Sequence, residues 1–177
     1  MGVLEGFKSK QLEKYISTAN ATVQIQKRAL PFSAVHTIGI LLDGKQDHVV
    51  QFVQQYQTEL EEQGKLVSVF AYLSKASKNP NFPLPYFTKS DTNWFAKPNK
   101  KSVVDFIEQP FDLLLNFSSS KILALESICA LSKAHFIIGN GTNHFNYYYD
   151  FLLKLNNSNA PDSFVENVQH YLNLQQK

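Results

Sequence analysis

The sequence predicts an open, three-layer α/β fold with a mostly parallel sheet, preceded by an N-terminal helical extension. Short apolar segments recur along the chain without polar alternation, as is typical of strands that are buried on both faces. Segments with apolar residues at helical spacing lie between them, and this alternation builds a parallel sheet covered by helices. We expect residues 1–33 to form the extension and residues 34–177 to form the α/β domain.

The first half of the domain predicts a strand, a helix and a second strand. The apolar run AVHTIGILLD, residues 34–43, ends at the turn pair Asp43-Gly44. Residues 46–63 predict an amphipathic helix that ends at Gly64, with an apolar face formed by Val49, Val53, Tyr56 and Leu60. The run KLVSVFAYL, residues 65–73, predicts a second strand that is buried on both faces.

The second half predicts two further central strands, at residues 111–117 and 135–139. A helix before them begins at Ser102, where Asp105 completes a capping box, and ends before Pro110. A nearly buried helix at residues 121–134 separates the two strands, and a last helix begins at Pro161.

Residues 143–155 are ambiguous between a loop followed by a strand and a helix. Consecutive aromatics favour a strand at residues 148–155. Because the connection 139–147 is shorter than a parallel crossover requires, we expect this strand to be antiparallel or peripheral.

The segment at residues 74–101 predicts a long surface excursion with a short strand near Tyr86 to Thr88. It carries six lysines against the single acid Asp91, a net charge of +5, and five aromatics are interleaved with them: Phe82, Tyr86, Phe87, Trp94 and Phe95. Lysines with aromatics can hold single-stranded nucleic acid. Alternatively, the aromatics fold back onto the sheet edge and the lysines stay solvated, because a monomer rarely tolerates such an exposed apolar patch.

On either interpretation, the excursion is the predicted contact surface for a protein or RNA partner. The predicted partner-binding residues are Lys89, Trp94, Phe95, Lys97, Lys100 and Lys101. The chain has one arginine, Arg28, so we expect no sequence-specific reading of DNA. The N-terminal extension, with a stripe formed by Leu4, Phe7, Leu12, Tyr15, Ile16 and Ala19, could pack on the domain or on a partner, including a second copy of the chain.

In an open sheet of this Rossmann-like type, ligands bind beyond the carboxyl ends of the strands. Three loops are expected there: residues 43–48, 116–120 and 139–144. Hydroxyls and backbone N–H groups at a helix start favour an anion, so the predicted anion-binding residues are Asn116, Ser118, Ser119 and Ser120. The simpler interpretation of the serines is that they cap the following helix.

Other chemistries lack their motifs. No dinucleotide fingerprint and no phosphate loop occurs, and the histidines show no zinc spacing beyond Asp43, Asp47 and His48 on one turn, which also suits a helix start. We therefore expect no metal and no cofactor. Cys129 lies in an apolar helix, where a thiol behaves as a small buried hydrophobe. A lone cysteine cannot form an internal disulfide, so we expect a reducing compartment. Without a signal peptide or an apolar stretch of roughly 20 residues, we expect a cytoplasmic protein that does not enter a membrane.

The stretch FDLLLNFSSSKILALESICALSKAHFIIG, with NWFAKPNKKSVVDFIEQPFDLLLNF leading into it, resembles an uncharacterised bacterial family of small Rossmann-like proteins known only as a domain of unknown function. The resemblance covers residues 30–175 and implies the fold but no activity. The segment from Asp112 through Ser119 to Gly139 is more distantly similar to the N-terminal, acceptor-side domain of heptosyltransferase-like glycosyltransferases.

In those glycosyltransferases an Asp after the first strand acts as the base, and the similarity implies this catalytic role for Asp47. Two departures are visible. Gln46 stands where the family has a glycine, and we expect the domain that binds the sugar nucleotide to be missing, so a partner chain would be needed for activity.

The leading functional hypothesis is a non-enzymatic cytoplasmic domain that binds a protein or RNA partner through residues 74–101, because no complete catalytic constellation is visible. The alternative is a glycosyltransferase-related, degenerate domain that binds a sugar or nucleotide phosphate. A third hypothesis is a structural subunit whose N-terminal helix mediates homo-oligomer formation.

Overall fold

The described residues form a six-stranded parallel sheet covered by helices on both faces. The computed structural model describes residues 6, 10, 11, 14, 26–74, 81–93, 96–141, 148–154 and 160–174. The strands are β1 Thr37–Asp43, β2 Leu66–Leu73, β3 Tyr86–Thr88, β4 Leu113–Asn116, β5 Ile137–Asn140 and β6 Phe151–Leu153. The α-helices of the α/β domain, within the described residues, are α1 Asp47–Glu62, α2 Lys101–Glu108, α3 Leu123–Leu131 and α4 Pro161–Leu174.

The strand order is β3-β2-β1-β4-β5-β6, and every pairing is parallel. This is the order of Rossmann folds, in which the chain reverses its direction of travel between the first and fourth strands. The four strands predicted from apolar runs are therefore neighbours in one sheet, and the α/β fold class is confirmed. Their carboxyl ends share one edge, which we call the C-terminal rim.

Each face of the sheet has its own apolar core. On one face, α1 and α4 pack over Ile38, Ile40 and Leu42 of β1. On the other, α2 and α3 pack over Leu41, together with Leu114 of β4. The central strands β4 and β5 are buried throughout, because helices cover both of their faces.

Two predicted helix caps are wrong. Helix α2 begins at Lys101 rather than Ser102, no side chain caps it, and Asp105 instead forms an ion pair with Lys101 at 2.8 Å. Helix α3 begins at Leu123, again without a side-chain cap, so the serines at 118–120 do not cap it. Ser118 Oγ instead donates to Ser120 O at 2.8 Å, because the chain makes a local turn there before the helix starts.

The strand predicted at 148–155 is the edge strand β6, so its peripheral position is confirmed, but it runs parallel to β5. The connection is shorter than usual for a parallel crossover. Tyr148 and Tyr149, which precede β6, are buried in the same core as α3 and cover this part of the sheet where a crossover helix would otherwise lie.

The prediction that β2 is buried on both faces is also wrong for its first half. Leu66 is 72% exposed, and Val67, Ser68 and Phe70 are only partly buried. The reason is that β3 is short and pairs only with Ala71–Leu73, so the preceding part of β2 lies at the edge of the sheet.

Residues 26–36 attach the start of the chain to the domain. Arg28 N donates to His135 O at 3.2 Å, and its guanidinium pairs with Asp112 at 3.1 Å. Lys65 is buried, and its Nζ donates to the carbonyl oxygens of Phe32 and Val35. Gly6, Lys10, Gln11 and Lys14 are helical, as predicted for the extension, whereas its apolar stripe lies outside the described residues.

Candidate functional site

The C-terminal rim is where the fold concentrates the candidate residues. The loops after β1 and β4 flank the point at which the strand order reverses. Phe117 N donates to Leu41 O at 2.8 Å, which keeps the two strands paired up to the rim. Gly141, which follows β5 with φ of +107°, lies so close to Ser119 that an added Cβ would be 3.4 Å from Ser119 O. The loops after β4 and β5 are therefore in contact.

The four predicted anion-binding residues do not share one role. Asn116 is fully buried: its Oδ1 accepts from Ser118 N at 3.1 Å and its Nδ2 donates to Tyr149 Oη at 2.8 Å. Ser118 is 1% exposed and its hydroxyl is used within the loop. Ser119 is half-buried and Ser120 is exposed. Asn116 and Ser118 therefore shape the loop, and of the four residues Ser119 and Ser120 have the more accessible side chains.

The loop after β1 carries the predicted base. Asp43 Oδ1 accepts from Lys45 N at 3.1 Å, which closes the turn that leads into α1. Asp47 is the first residue of α1 and is exposed, as are Lys45 and His48. In the described ranges, no three histidine, cysteine, aspartate or glutamate side chains gather in a way that could hold a metal ion.

The aromatics of the basic excursion fold back onto the sheet wherever the structure describes them. Phe87 is fully buried, and Phe82 and Tyr86 pack against the core on the α1 side. This confirms the second interpretation of the segment for these three rings. Trp94 and Phe95 lie outside the described residues.

The predicted partner-binding lysines differ in how far they are engaged. Lys89 and Lys101 are exposed, whereas Lys97 is partly buried. Lys100 is also partly buried, since its Nζ donates to Tyr86 O at 2.9 Å and lies 5.6 Å from the centre of the Tyr86 ring. Lys100 therefore holds β3 to the start of α2, and among the described lysines of the segment Lys89 and Lys101 are exposed.

The excursion is tied to the domain after β3. A capping box between Thr88 and Asp91 closes a short 3₁₀ turn, and Thr92 then pairs with Pro98. Between them, Ala96 has a φ of +62°, an uncommon conformation for a residue with a Cβ. Ser127 Oγ of α3 donates to Ala96 O at 2.8 Å and so holds this strained residue against the helix.

Sequence reasoning missed a buried polar cluster below the rim. Glu126 of α3 is fully buried and accepts hydrogen bonds from the hydroxyls of Tyr148 and Tyr149. Tyr149 Oη also accepts a hydrogen bond from the side-chain amide of Asn116 and lies 3.5 Å from Cys129 Sγ. The available signal was a lone glutamate within the apolar run ILALESICAL, followed later by paired tyrosines.

Burial sets the acid–base properties of this cluster. It raises the pKa of Tyr149 well above its ordinary value, and the neighbouring Cys129 and Glu126 raise it further. It also raises the pKa of the Cys129 thiol, so the thiolate is disfavoured. The expectation that Cys129 is buried among apolar side chains is confirmed.

Comparison with known proteins finds one family. A family described as a family of unknown function (DUF6913) matches residues 6–174. No curated protein and no solved structure matches the chain. The similarity to glycosyltransferases therefore has no support from these comparisons. Within the described part of the chain, no helix has both the length and the apolarity that a membrane span requires.

Proposed function

The chain belongs to the family of unknown function DUF6913, and on that premise we propose that it is a non-enzymatic binding protein that takes an acidic protein partner at the C-terminal rim. The observation that carries the proposal is the position of the exposed lysines. Lys89 directly follows β3 and Lys101 begins α2, so both lie at the rim, where Lys45 follows β1. Clustered charge of one sign steers and orients a partner of opposite charge.

The packing of the aromatics supports a protein partner over RNA. Stacking on bases needs exposed rings, but Phe82, Tyr86 and Phe87 are packed against the sheet. The single arginine, Arg28, is already paired with Asp112 at the opposite edge of the sheet. Among the described residues of the segment, Lys89 and Lys101 are exposed, and Lys101 also pairs with Asp105 of its own helix. Exposed lysine charge suits carboxylates on another protein.

The engagement of the polar rim residues supports a binding role over catalysis. Asn116 and Ser118 are committed to bonds within the protein. The titratable cluster nearest to them, around Glu126, is buried below the rim rather than in an open cleft. We propose the cytoplasm as its location because the only cysteine is a buried free thiol, which is compatible with a reducing compartment.

The test is capture of partners from native lysate by the intact chain, read by mass spectrometry. The charge-reversed variant Lys89→Glu/Lys101→Glu should lose the captured proteins, and the matched variant Lys89→Arg/Lys101→Arg, which keeps the charge, should retain them. Unchanged capture by the reversed variant would overturn the proposal. Salt-dependent retention of single-stranded RNA on a filter, lost on the same reversal, would instead assign the surface to nucleic acid.

A second candidate rests on the strand order. In open α/β sheets, phosphate-bearing ligands bind where that order reverses, which here is between the loops after β1 and β4. Ser119 and Ser120 would bind the phosphate of a sugar or nucleotide, and Asp47 would be the base if glycosyl transfer remained.

A thermal-shift panel of nucleotide sugars tests this candidate, because a ligand at 100 times its Kd adds about 2.7 kcal/mol of stability. The shift should disappear in Ser119→Ala/Ser120→Ala. No shift with any member of the panel would exclude the candidate for this chain.

A further inference from the structure

A different surface, the open edge of β2, carries an inference of its own. Strand β2 pairs with β1 from Leu66 to Tyr72, but on its other side β3 reaches only Ala71–Leu73. Residues 66–70 therefore form a free sheet edge within the described part of the chain. We call these residues, LVSVF, the β2 edge.

The direction of the backbone hydrogen bonds shows which residues serve this edge. Leu66 N donates to His36 O at 2.8 Å, and Tyr72 O accepts from Gly44 N at 2.9 Å, so the even-numbered residues bond toward β1. Ala71 N donates to Pro85 O at 2.9 Å, so the odd-numbered residues face the other way. The N–H and C=O groups of Val67 and Val69 accordingly point outward, where no described strand receives them.

Among the described residues, this edge has few of the features that normally prevent strand addition; one neighbouring side chain, Gln109, accepts a hydrogen bond from Ser68 Oγ at 3.3 Å. Folded proteins protect such edges with lysines, prolines, bulges or covering elements. The β2 edge contains no charged residue and no proline, and its first residue, Leu66, is 72% exposed. An apolar edge whose backbone N–H and C=O groups point outward favours pairing with another strand.

We propose that the β2 edge pairs antiparallel with the β2 edge of a second copy of this chain, about a two-fold axis at Ser68. In that register Val67 lies opposite Val69 of the second copy, and each such pair exchanges both of its backbone hydrogen bonds. Leu66 lies opposite Phe70 of the second copy, so the most exposed apolar residue meets a partly buried ring. Pro85, beside Ala71, ends the available edge.

Charge supports a second copy as the occupant. The last turn of α1 leads into Leu66 and carries the exposed acids Glu59, Glu61 and Glu62 without a basic residue. The helix turn precedes residue 66 and β3 begins opposite residue 71, so the two lie at opposite ends of the β2 edge. Antiparallel pairing therefore places the helix turn of one copy beside the start of β3 in the other. There the partly buried Lys100 donates to Tyr86 O, so the acidic helix end of each copy lies near a positive charge of the other.

The sharpest test uses the residue on the two-fold axis. In a non-hydrogen-bonded antiparallel pair the Cα atoms are about 4.5 Å apart, which is within disulfide range. The variant Ser68→Cys should therefore form a covalent dimer under mild oxidation. The control Ser102→Cys, an exposed position on α2, should remain monomeric, and the native Cys129 is buried.

Sedimentation of the intact chain gives an independent measure. The mass should rise with concentration from 20.1 kDa toward twice that value. Val67→Pro removes an outward N–H without touching the β1 ladder, and Leu66→Lys places a charge on the edge; both should stay monomeric. Val104→Lys, at an exposed apolar position on α2, should still dimerise.

A chain that stays monomeric at every concentration, or a Ser68→Cys variant that yields no covalent dimer, would overturn the proposal. So would a dimer that survives both edge variants. These outcomes are independent of the lysate capture by Lys89 and Lys101, because the β2 edge contains neither lysine.

Discussion

Replacing Glu126 with alanine should destabilise this protein. The Glu126 carboxylate is fully buried and accepts from the hydroxyls of Tyr148 and Tyr149. The alanine variant takes this acceptor away from both hydroxyls within the core. Losing a buried hydrogen-bond partner costs about 1–3 kcal/mol. Because Tyr149 keeps its contacts with Asn116 and Cys129, the expected loss is about 1–3 kcal/mol.

That loss is large against the roughly 5–15 kcal/mol by which domains are typically stable. It should be measured by urea unfolding followed by far-UV circular dichroism, with the thermal midpoint as a second reading. Glu126→Gln keeps the shape and one acceptor oxygen, so we expect it to lose less than the alanine variant. Glu166→Ala, at an exposed position on α4, is the matched control and should change stability by no more than about 0.5 kcal/mol.

A double-mutant cycle with Tyr148→Phe isolates the hydrogen bond from the rest of the packing. Because Tyr148 donates directly to Glu126, the double variant should be less destabilised than the sum of the two single changes. A Glu126→Ala variant within about 0.5 kcal/mol of the parent, or two single changes that simply add, would refute the view that this carboxylate anchors the segment before β6.

Three further outcomes follow from other sites. Burial alone would raise the pKa of Asp112, but hydrogen bonds from His36, Thr37 and Arg28 outweigh it and the net pKa is lowered. The stability that Asp112 contributes is therefore present above the pKa of this carboxyl in the unfolded chain, and it is lost as the pH falls through the lower pKa of the folded protein. The urea midpoint of the parent should fall more steeply below about pH 4 than that of Asp112→Asn, and equal slopes would contradict this. Since burial raises the pKa of Cys129, a thiol reagent at pH 8 should label it only as urea unfolds the chain, and prompt native labelling would contradict its burial. Gly39→Ala would bring a Cβ to 2.8 Å from Leu114 Cδ1, so it should cost about 1–3 kcal/mol in the same urea assay, and an unchanged midpoint would show that the core yields there.

The central strands could be predicted from sequence because strands that are buried on both faces consist almost entirely of apolar residues. Residues 113–116 and 137–140 are covered on both faces, so uninterrupted apolar runs identify them without reference to the rest of the chain. A short strand near Tyr86 to Thr88 is also predicted, within the excursion, and it is present as β3. The shared rim followed from the parallel direction of the strands.

The helix starts and the buried cluster could not be predicted in the same way. Ser102 and Ser118 are of a residue type that favours helix caps. However, α2 begins one residue before Ser102, and the chain turns at Ser118 before α3 starts. Glu126 depends on tyrosines more than twenty residues later in the chain, and no local pattern reports such a pairing. Tertiary contacts override local preference in each case.

The exposure of Leu66 shows why the edges of the sheet escaped prediction. A run such as LVSVFAYL does not reveal how many of its residues find a partner, because that depends on the length of a neighbouring strand. The strand β3 ends after three residues, and the chain then makes the 3₁₀ turn and the Thr92–Pro98 pairing at the rim.

The brevity of β3 thus accounts for both proposed surfaces. Because β3 stops at Thr88, Lys89 is brought to the C-terminal rim, and the chain that returns to α2 places Lys101 at the same rim. Because β3 starts only at Tyr86, opposite Ala71, the first five residues of β2 are left as an open edge. A β3 extended backward along the whole of β2 would close that edge and leave the lysines in place. The two surfaces are therefore separable, although one short strand produces them both.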